Sequence, residues 1–426
     1  MTMHEASVEE AFCSAVDYHR GGKLQTAAQL YAGVLERQPD HAEACHNLGV
    51  LMAQVTPASA SPQTAIHCFL RSLVFRPSFA DALSNLGNVC HELGLLEGAL
   101  RSYQRASCLQ PDRGELRYNL GTALLLGRHY RQGWAEYAWR WGPQSSWPRR
   151  SEFSAPCWTG ESLAGRTILL HAEQGMGDAI QFCRFAPMVA AQGGQVVLEV
   201  QRPLCRLLTT LPGVTRILAQ GEAHPPHDFH CPLMLLGGIF CPDPEHIPAA
   251  PPYLTADARR AEVWRQHLAG PGMKIGICWQ GNPKAAVEKG RSAPLACFAP
   301  LGRIPGARLI SLQKQHGLDQ LQGLPAGMRV ETLGNDFDSG ENAFLDTVAV
   351  MMNLDLVVTV DTVTAHLAGA LDRPVWMALQ KIPYWVWGIE GEKTSWYPRT
   401  RLFRQTDPGD WSPVFSRMAA EISSRP

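Results

Sequence analysis

Polar and apolar positions follow two different rhythms along this chain. Up to Trp141, small and aromatic residues recur at helical spacing: Ala65 with Phe69, Ala99 with Tyr103, and Gly133 with Tyr137, each pair four apart. The triplet Asn-Leu-Gly precedes these pairs at Asn47, Asn85 and Asn119, and Pro39, Pro77 and Pro111 carry the same successive spacings of 38 and 34 residues. A weaker first copy fits Ala15, Tyr18, Ala27 and Tyr31. Such a repeat predicts pairs of antiparallel helices. The small residues let the two helices approach, the aromatic fills the gap between them, and proline ends the second. The extra four residues fall in the Pro/Ser/Ala run at 55–62, where a turn is expected.

Beyond Trp141 the rhythm changes. Apolar runs at 167–172, 195–200, 274–279, 308–312, 354–360 and 375–379 alternate with helical stretches such as 179–191, which predicts parallel sheets covered by helices. The stretch 142–166, rich in Gly, Pro, Ser and Trp, reads as a linker, and the prolines of 248–252 read as a hinge. The predicted division is therefore a helical array over 1–141, a linker over 142–166, and two α/β lobes over 167–252 and 253–426.

Composition narrows the classes of function. With 38 Lys+Arg against 39 Asp+Glu the net charge is -1, so no global field draws the chain to nucleic acid or an anionic membrane, and no basic stripe with interleaved aromatics occurs. No stretch reaches the roughly 18 apolar residues of a membrane span, and the first ten residues hold three glutamates and no apolar core of a signal peptide. The twelve cysteines include no C-x-x-C and read as reduced thiols, so the expected compartment is the cytoplasm. Metal-binding motifs are absent: His171-Ala-Glu173 has H-x-E spacing but no P-C-x-x-C follows, so neither a metal nor another cofactor is expected.

Ligands of open parallel sheets bind beyond the carboxyl ends of the strands, which directs attention to three loops. Glu173-Gln-Gly-Met-Gly-Asp178 joins a strand to a helix. Gly175 and Gly177 permit a tight turn and close approach of a ligand, but the third glycine of a dinucleotide fingerprint is missing. The loop 280–292 brings Lys284, Lys289 and Arg291 together, either as an anion site or as a solvated basic loop. Asp361 and Thr362 follow an apolar strand and open a helix whose free N–H groups favour a phosphate, with His366 one turn later.

The repeats resemble the tetratricopeptide repeat, whose inner groove is lined by the helices that here carry Asn47, Asn85 and Asn119. Asn both donates and accepts, so a row of them can hold an extended peptide by its backbone. The repeats of protein O-linked N-acetylglucosamine transferases carry a similar ladder. A helical spacer, with these amides bonded inside the array, is the other reading. Beyond the repeats, Glu173-Gln-Gly-Met-Gly-Asp178, Cys231-Pro-Leu233, Trp279-Gln-Gly-Asn282, Arg291-Ser292, Ser311-Leu-Gln313, Val360-Asp-Thr362 with His366-Leu-Ala-Gly369, and Ser395-Trp-Tyr-Pro398 resemble the tetratricopeptide-linked glycosyltransferases. Their catalytic part is similar to glycosyltransferase family 9, the heptosyltransferases.

That resemblance implies a GT-B fold: two Rossmann-like lobes, the first for acceptor and the second for a nucleotide-activated sugar. It makes Asp178 the candidate general base, with helix capping as its alternative role. It places Asp361, Thr362 and His366 against the donor diphosphate, where His366, if protonated, would offset charge on the leaving phosphate; Gly175, Gly177, Asn282 and Arg291, which lie in the other matching motifs, are assigned to the donor with them. The reaction implied is inverting and metal-independent, on a protein acceptor held by the repeats at Asn47, Asn85 and Asn119. Two departures leave alternatives open: Ala285-Ala-Val-Glu288 stands where relatives carry His and Asn-Asp, and Tyr384 stands before Trp385 where they often carry Asp. A non-catalytic repeat adaptor that only binds nucleotide, and a heptosyltransferase-like enzyme acting on a glycan, remain as rivals.

Overall fold

The structure, a computed structural model, describes residues 7–54, 62–142, 153–245, 247–248, 250–285, 288–340 and 343–424. Most of the predicted insertion at 55–62, residues 143–152 of the linker, part of the proline-rich hinge, and Ala286 and Val287 of the divergent loop lie outside the described residues. The chain divides into two compact units, Met1–Gly127 with Ala135–Trp147, and Arg128–Trp134 with Pro148–Pro426.

The first unit is a helical array resembling tetratricopeptide repeats. Its helices are α1 (Val8–Arg20), α2 (Leu24–Arg37), α3 (Ala42–Gln54), α4 (Pro62–Phe75), α5 (Ala80–Glu92), α6 (Leu96–Leu109) and α7 (Gly114–Leu126), followed by the end of α8 (Tyr130–Tyr137). Helix α1 starts at a capping box, with Ser7 Oγ accepting from Glu10 N at 3.1 Å and Glu10 Oε2 accepting from Ser7 N at 2.7 Å. The repeat glycines do what their spacing implies. A Cβ on Gly49 would stand 2.8 Å from the Phe69 ring, and one on Gly87 2.5 Å from Tyr103, so each pair of helices closes through a missing side chain. Ala65, Phe69, Ala99, Tyr103 and Tyr137 are all buried. Successive units are joined by arginines: Arg71 donates to Pro39 O at 2.7 Å and Arg105 to Pro77 O at 2.8 Å, while Arg76 pairs with Glu43 and Arg113 with Asp81 at 2.5 Å.

The second unit holds two sheets of parallel strands. The first comprises β1 (Thr167–His171), β2 (Gln195–Val200), β3 (Val214–Ala219) and β4 (Phe229–Pro232), in the order β3-β2-β1-β4. Between β1 and β2 run α9 (Met176–Phe182) and α10 (Ala186–Ala190); α11 (Leu236–Phe240) follows β4 and α12 (Ala258–His267) leads to the second sheet. That sheet has β5 (Met273–Cys278), β6 (Ala307–Ser311), β7 (Val330–Glu331), β8 (Leu356–Val360), β9 (Val375–Leu379) and β10 (Thr400–Arg404), in the order β10-β9-β8-β5-β6-β7. Its covering helices are α13 (Ala299–Gly302), α14 (Leu345–Met351), α15 (Val363–Ala370) and α16 (Ser412–Ser423). Strand β8 is buried at every residue because it lies in mid-sheet, and its run of Val and Leu carries no alternation. Ile275, Ile277, Val358, Phe298 and Phe415 build the core around it.

In both sheets the strand order reverses once, between β1 and β4 and between β5 and β8. The second sheet thus has the six-strand order of dinucleotide-binding folds, and ligands of such sheets lie at the reversal. The loops after β1, β5 and β8 are the three singled out in the sequence.

Candidate functional site

The loop after β1 turns into α9 through Gly175, and Asp178 reaches back so that its Oδ2 accepts from Gly175 N at 3.1 Å. Asp178 therefore does cap this helix, and it remains half-buried. The other side of the site is the start of α15. Thr362 stands at its cap position without a side-chain cap bond, leaving the first N–H groups directed past the strand end. The Thr362 hydroxyl is turned inward, 3.1 Å from Thr359 Oγ1 and 3.6 Å from Cys278 Sγ, so only its backbone faces outward chemistry.

Asp361 is 5% exposed, and Arg291 Nη2 lies 2.9 Å from its Oδ2. The guanidinium is largely buried; burial works against its charge, but the carboxylates around it, Asp361 foremost, together hold Arg291 above its ordinary value. Asp178 of the first sheet's loop and Glu288 add to the same field. Arg291 is thus a cation set among carboxylates from both sheets. Arg291 Nε and both Asp361 oxygens are buried without a well-directed hydrogen bond, so the contact is a charge pairing rather than a fork.

His366 sits on α15 facing α9. Its Cδ2 is 2.7 Å, and its Nε2 3.2 Å, from where a Cβ on Gly177 would be, so the absent side chain is what admits the imidazole. Nδ1 lies 3.0 Å from Tyr397 Oη, and burial lowers the ring to about 4. The imidazole is neutral near pH 7. The condition of protonation under which His366 would offset phosphate charge is therefore not met near pH 7, and Arg291 brings positive charge to the cluster instead.

The loop after β5 is braced from β6. Gln313 Oε1 accepts from Trp279 N and Gln280 N at 3.1 Å each, and its Nε2 donates to Gln280 O at 2.8 Å. Ser292 Oγ accepts from Gly281 N at 3.0 Å and donates to Glu288. Asn282 is exposed and its Oδ1 accepts from Lys284 N at 3.0 Å, so it shapes its own turn. Lys284 and Lys289 are exposed. The site therefore gathers Gly177, Asp178, Arg291, Asp361 and His366.

Sequence reasoning missed the support behind His366. Arg184, 1% exposed, donates from Nε to Gln181 O at 2.9 Å, from Nη1 to Trp396 O at 3.0 Å and from Nη2 to Tyr253 Oη at 3.1 Å. Tyr384 donates to Gln174 Oε1 at 3.2 Å. Tyr397 lies in a stretch that carried the resemblance, whereas Arg184 and Tyr253 had no signal. Two hollows of about 420 and 760 Å³ lie beside α12 around Asp257 and Arg260 and share no residue with the cluster. Among the described residues no three His, Cys, Asp or Glu side chains converge as metal ligands.

In the repeats, Asn47, Asn85 and Asn119 are half-buried. Asn47 Oδ1 is 3.1 Å from His46 Nδ1, and Asn85 Nδ2 is 2.9 Å from His46 Nε2, so one histidine on α3 links two rungs. For the Asn119 side chain no hydrogen bond occurs among the described residues. No helix there is long and apolar enough to cross a membrane.

Fold and site together define a chain of two parts, a helical repeat array and an α/β region whose two parallel sheets present facing loops. No protein-family model matches it. It is similar over 419 residues to Protein FlbA of Caulobacter vibrioides, at 26% identity, covering 93% of this chain and 69% of FlbA. Solved structures that overlap part of it include MamA from Desulfovibrio magneticus RS-1 (18% identity, 31% of this chain and 72% of that one, TM-score 0.29). The tetratricopeptide repeat protein YrrB overlaps similarly (22% identity, 30% of this chain and 65% of that one, TM-score 0.28). Overlaps of that extent say nothing about function.

Proposed function

We propose that this chain is a GT-B glycosyltransferase of the cytoplasm that moves a sugar from a nucleotide-activated donor to a protein acceptor held by the repeats. The observation that carries this reading is the meeting of Gly177 and His366, which brings the reversal points of the two sheets face to face with Arg291 in the same cluster. In this reading the start of α15 and Arg291 hold the donor phosphate, and their positive potential stabilises the charge that grows as the sugar–oxygen bond breaks. Asp178 takes the proton of the acceptor hydroxyl. Capping Gly175 N does not bar that role, because a carboxylate accepts through two oxygens. The inverting, metal-independent course is carried over from the family resemblance.

The test is transfer from a panel of nucleotide sugars, followed by intact-mass spectrometry of protein acceptors, with Asp178→Asn alongside. Asn keeps an oxygen for the cap and loses the base, so turnover should drop by about a hundredfold or more. Equal turnover in that variant removes Asp178 as base; a chain that binds no nucleotide in calorimetry removes the whole reading.

A second reading, a non-catalytic adaptor, draws on the pairing of Arg291 with Asp361, which already satisfies the cation. Nucleotide binding without transfer to any acceptor would favour it. A glycan acceptor is the third, drawing on the His46 bridge that occupies two of the three ladder amides.

A further inference from the structure

The hydrogens around Tyr397 can be assigned by elimination. Tyr253 Oη lies 3.1 Å from Ile180 O, which can only accept, so the single hydroxyl hydrogen of Tyr253 is directed there. Tyr253 Oη also accepts from Arg184 Nη2 at 3.1 Å. At the 3.4 Å contact between the two phenols Tyr253 has no second hydrogen to offer, so Tyr397 is left with its own. That hydrogen has two possible acceptors, Tyr253 Oη at 3.4 Å and His366 Nδ1 at 3.0 Å, and the nearer one is the imidazole. Burial keeps the Tyr397 phenol protonated, well above its ordinary value, and Arg184 stands 4.9 Å from the centre of its ring. A nearby guanidinium makes the phenol a better donor. The ring itself is fixed, because Gly369 leaves room for it: a Cβ there would fall 2.5 Å from Tyr397 Cδ1.

From this geometry we infer that Tyr397, braced by Tyr253 and Arg184, is a positioning residue that locks His366 as the tautomer with hydrogen on Nε2 and so aims one neutral N–H at the Gly175–Gly177 loop. Resting on the reading proposed above, that N–H is a hydrogen-bond donor to an oxygen of the sugar-bearing phosphate. A neutral donor suits a place where Arg291 already supplies charge. It tightens on the oxygen as negative charge develops without adding a further buried cation to Arg291 and Arg184. The accepting nitrogen is satisfied by Tyr397, so the ring cannot turn its lone pair toward the phosphate without breaking that bond.

The test uses the full chain labelled with ¹⁵N-histidine, and two-bond ¹H–¹⁵N correlation spectra at neutral pH, with His366→Asn to assign the resonance. Wild type should show His366 solely in the Nε2–H form; a spectrum of the Nδ1–H form overturns the inference whether or not any transfer is ever detected. Tyr397→Phe keeps the ring against Gly369 and should give a mixture of tautomers, whereas Tyr253→Phe, which removes the competing acceptor together with the bonds to Ile180 O and Arg184 but leaves the Tyr397 hydroxyl in place, should leave the Nε2–H form intact. An unchanged tautomer in Tyr397→Phe assigns the lock elsewhere and refutes the role of Tyr397. If Tyr397→Phe fails to fold, the wild-type and Tyr253→Phe spectra still decide the assignment. Where a donor has been found, Tyr397→Phe should lower kcat/KM by about tenfold. A correct tautomer in a chain that transfers nothing would remove the proposed function and leave the positioning intact.

Discussion

His366 and Gly177 meet edge to backbone, with 2.7 Å between the imidazole Cδ2 and the place of a Cβ that the glycine lacks. The ring cannot yield easily, since Tyr397 holds its Nδ1 at 3.0 Å and the residue is buried. Gly177→Ala should therefore push α9 and α15 apart, destabilising the α/β unit by about 1–3 kcal/mol. Thermal melts would register it; an alanine that melts like wild type would mean the two helices are not in contact.

Two glycines of the repeats should respond in opposite directions. Gly87→Ala places a methyl 2.5 Å from the Tyr103 ring and should cost about 1–3 kcal/mol. Gly33 lies within α2 with nothing inside 4 Å of an added Cβ, so Gly33→Ala should stabilise by about 0.5–1 kcal/mol. Urea titration of both variants tests the sign.

Removing one member of the Arg291–Asp361 pair strands the other. Arg291→Ala leaves a carboxylate that is 5% exposed without its cation and should cost about 3 kcal/mol. Adding Asp361→Asn should recover much of that loss, because no charge then remains buried. A double-mutant cycle by denaturant unfolding measures the coupling, and additive losses would show that the two groups do not interact.

The depressed value of His366, about 4 against an ordinary 6.5, sets a pH dependence. Between those values the unfolded chain binds a proton that the folded chain refuses. Stability is full above about pH 6.5 and declines as the pH falls toward 4, by about 1.4 kcal/mol per unit from this group. His230, also lowered to about 4 by burial, acts with the same sign. Unfolding free energies of wild type and His366→Asn across this range should differ in slope by close to one proton.

How much of this was legible depended on whether the signal was local. The repeats announced themselves because each unit writes its contact, Gly against aromatic, within one helix pair. Strands β1, β2, β5, β6, β8 and β9 were found to within two residues because central parallel strands are unbroken apolar runs. Strands β3, β4, β7 and β10 were not, each being a sheet edge; β3 interrupts its apolar residues with Thr215 and Arg216, both exposed, and β7 has two residues. Within the site, Gly177, Asp178, Asp361 and His366 lay at strand ends where a motif could be read. Arg184 and Tyr253 belong to the same place only through contacts with Trp396 and Tyr397, more than 140 residues downstream, which no window on the sequence can join.

The arginine bonds to proline carbonyls run one way. Arg71 and Arg105 each reach to an earlier turn, at Pro39 and Pro77. Each later helix therefore carries the clasp for the turn before it, so these cross-links hang on one long side chain apiece and pass in a single direction along the array.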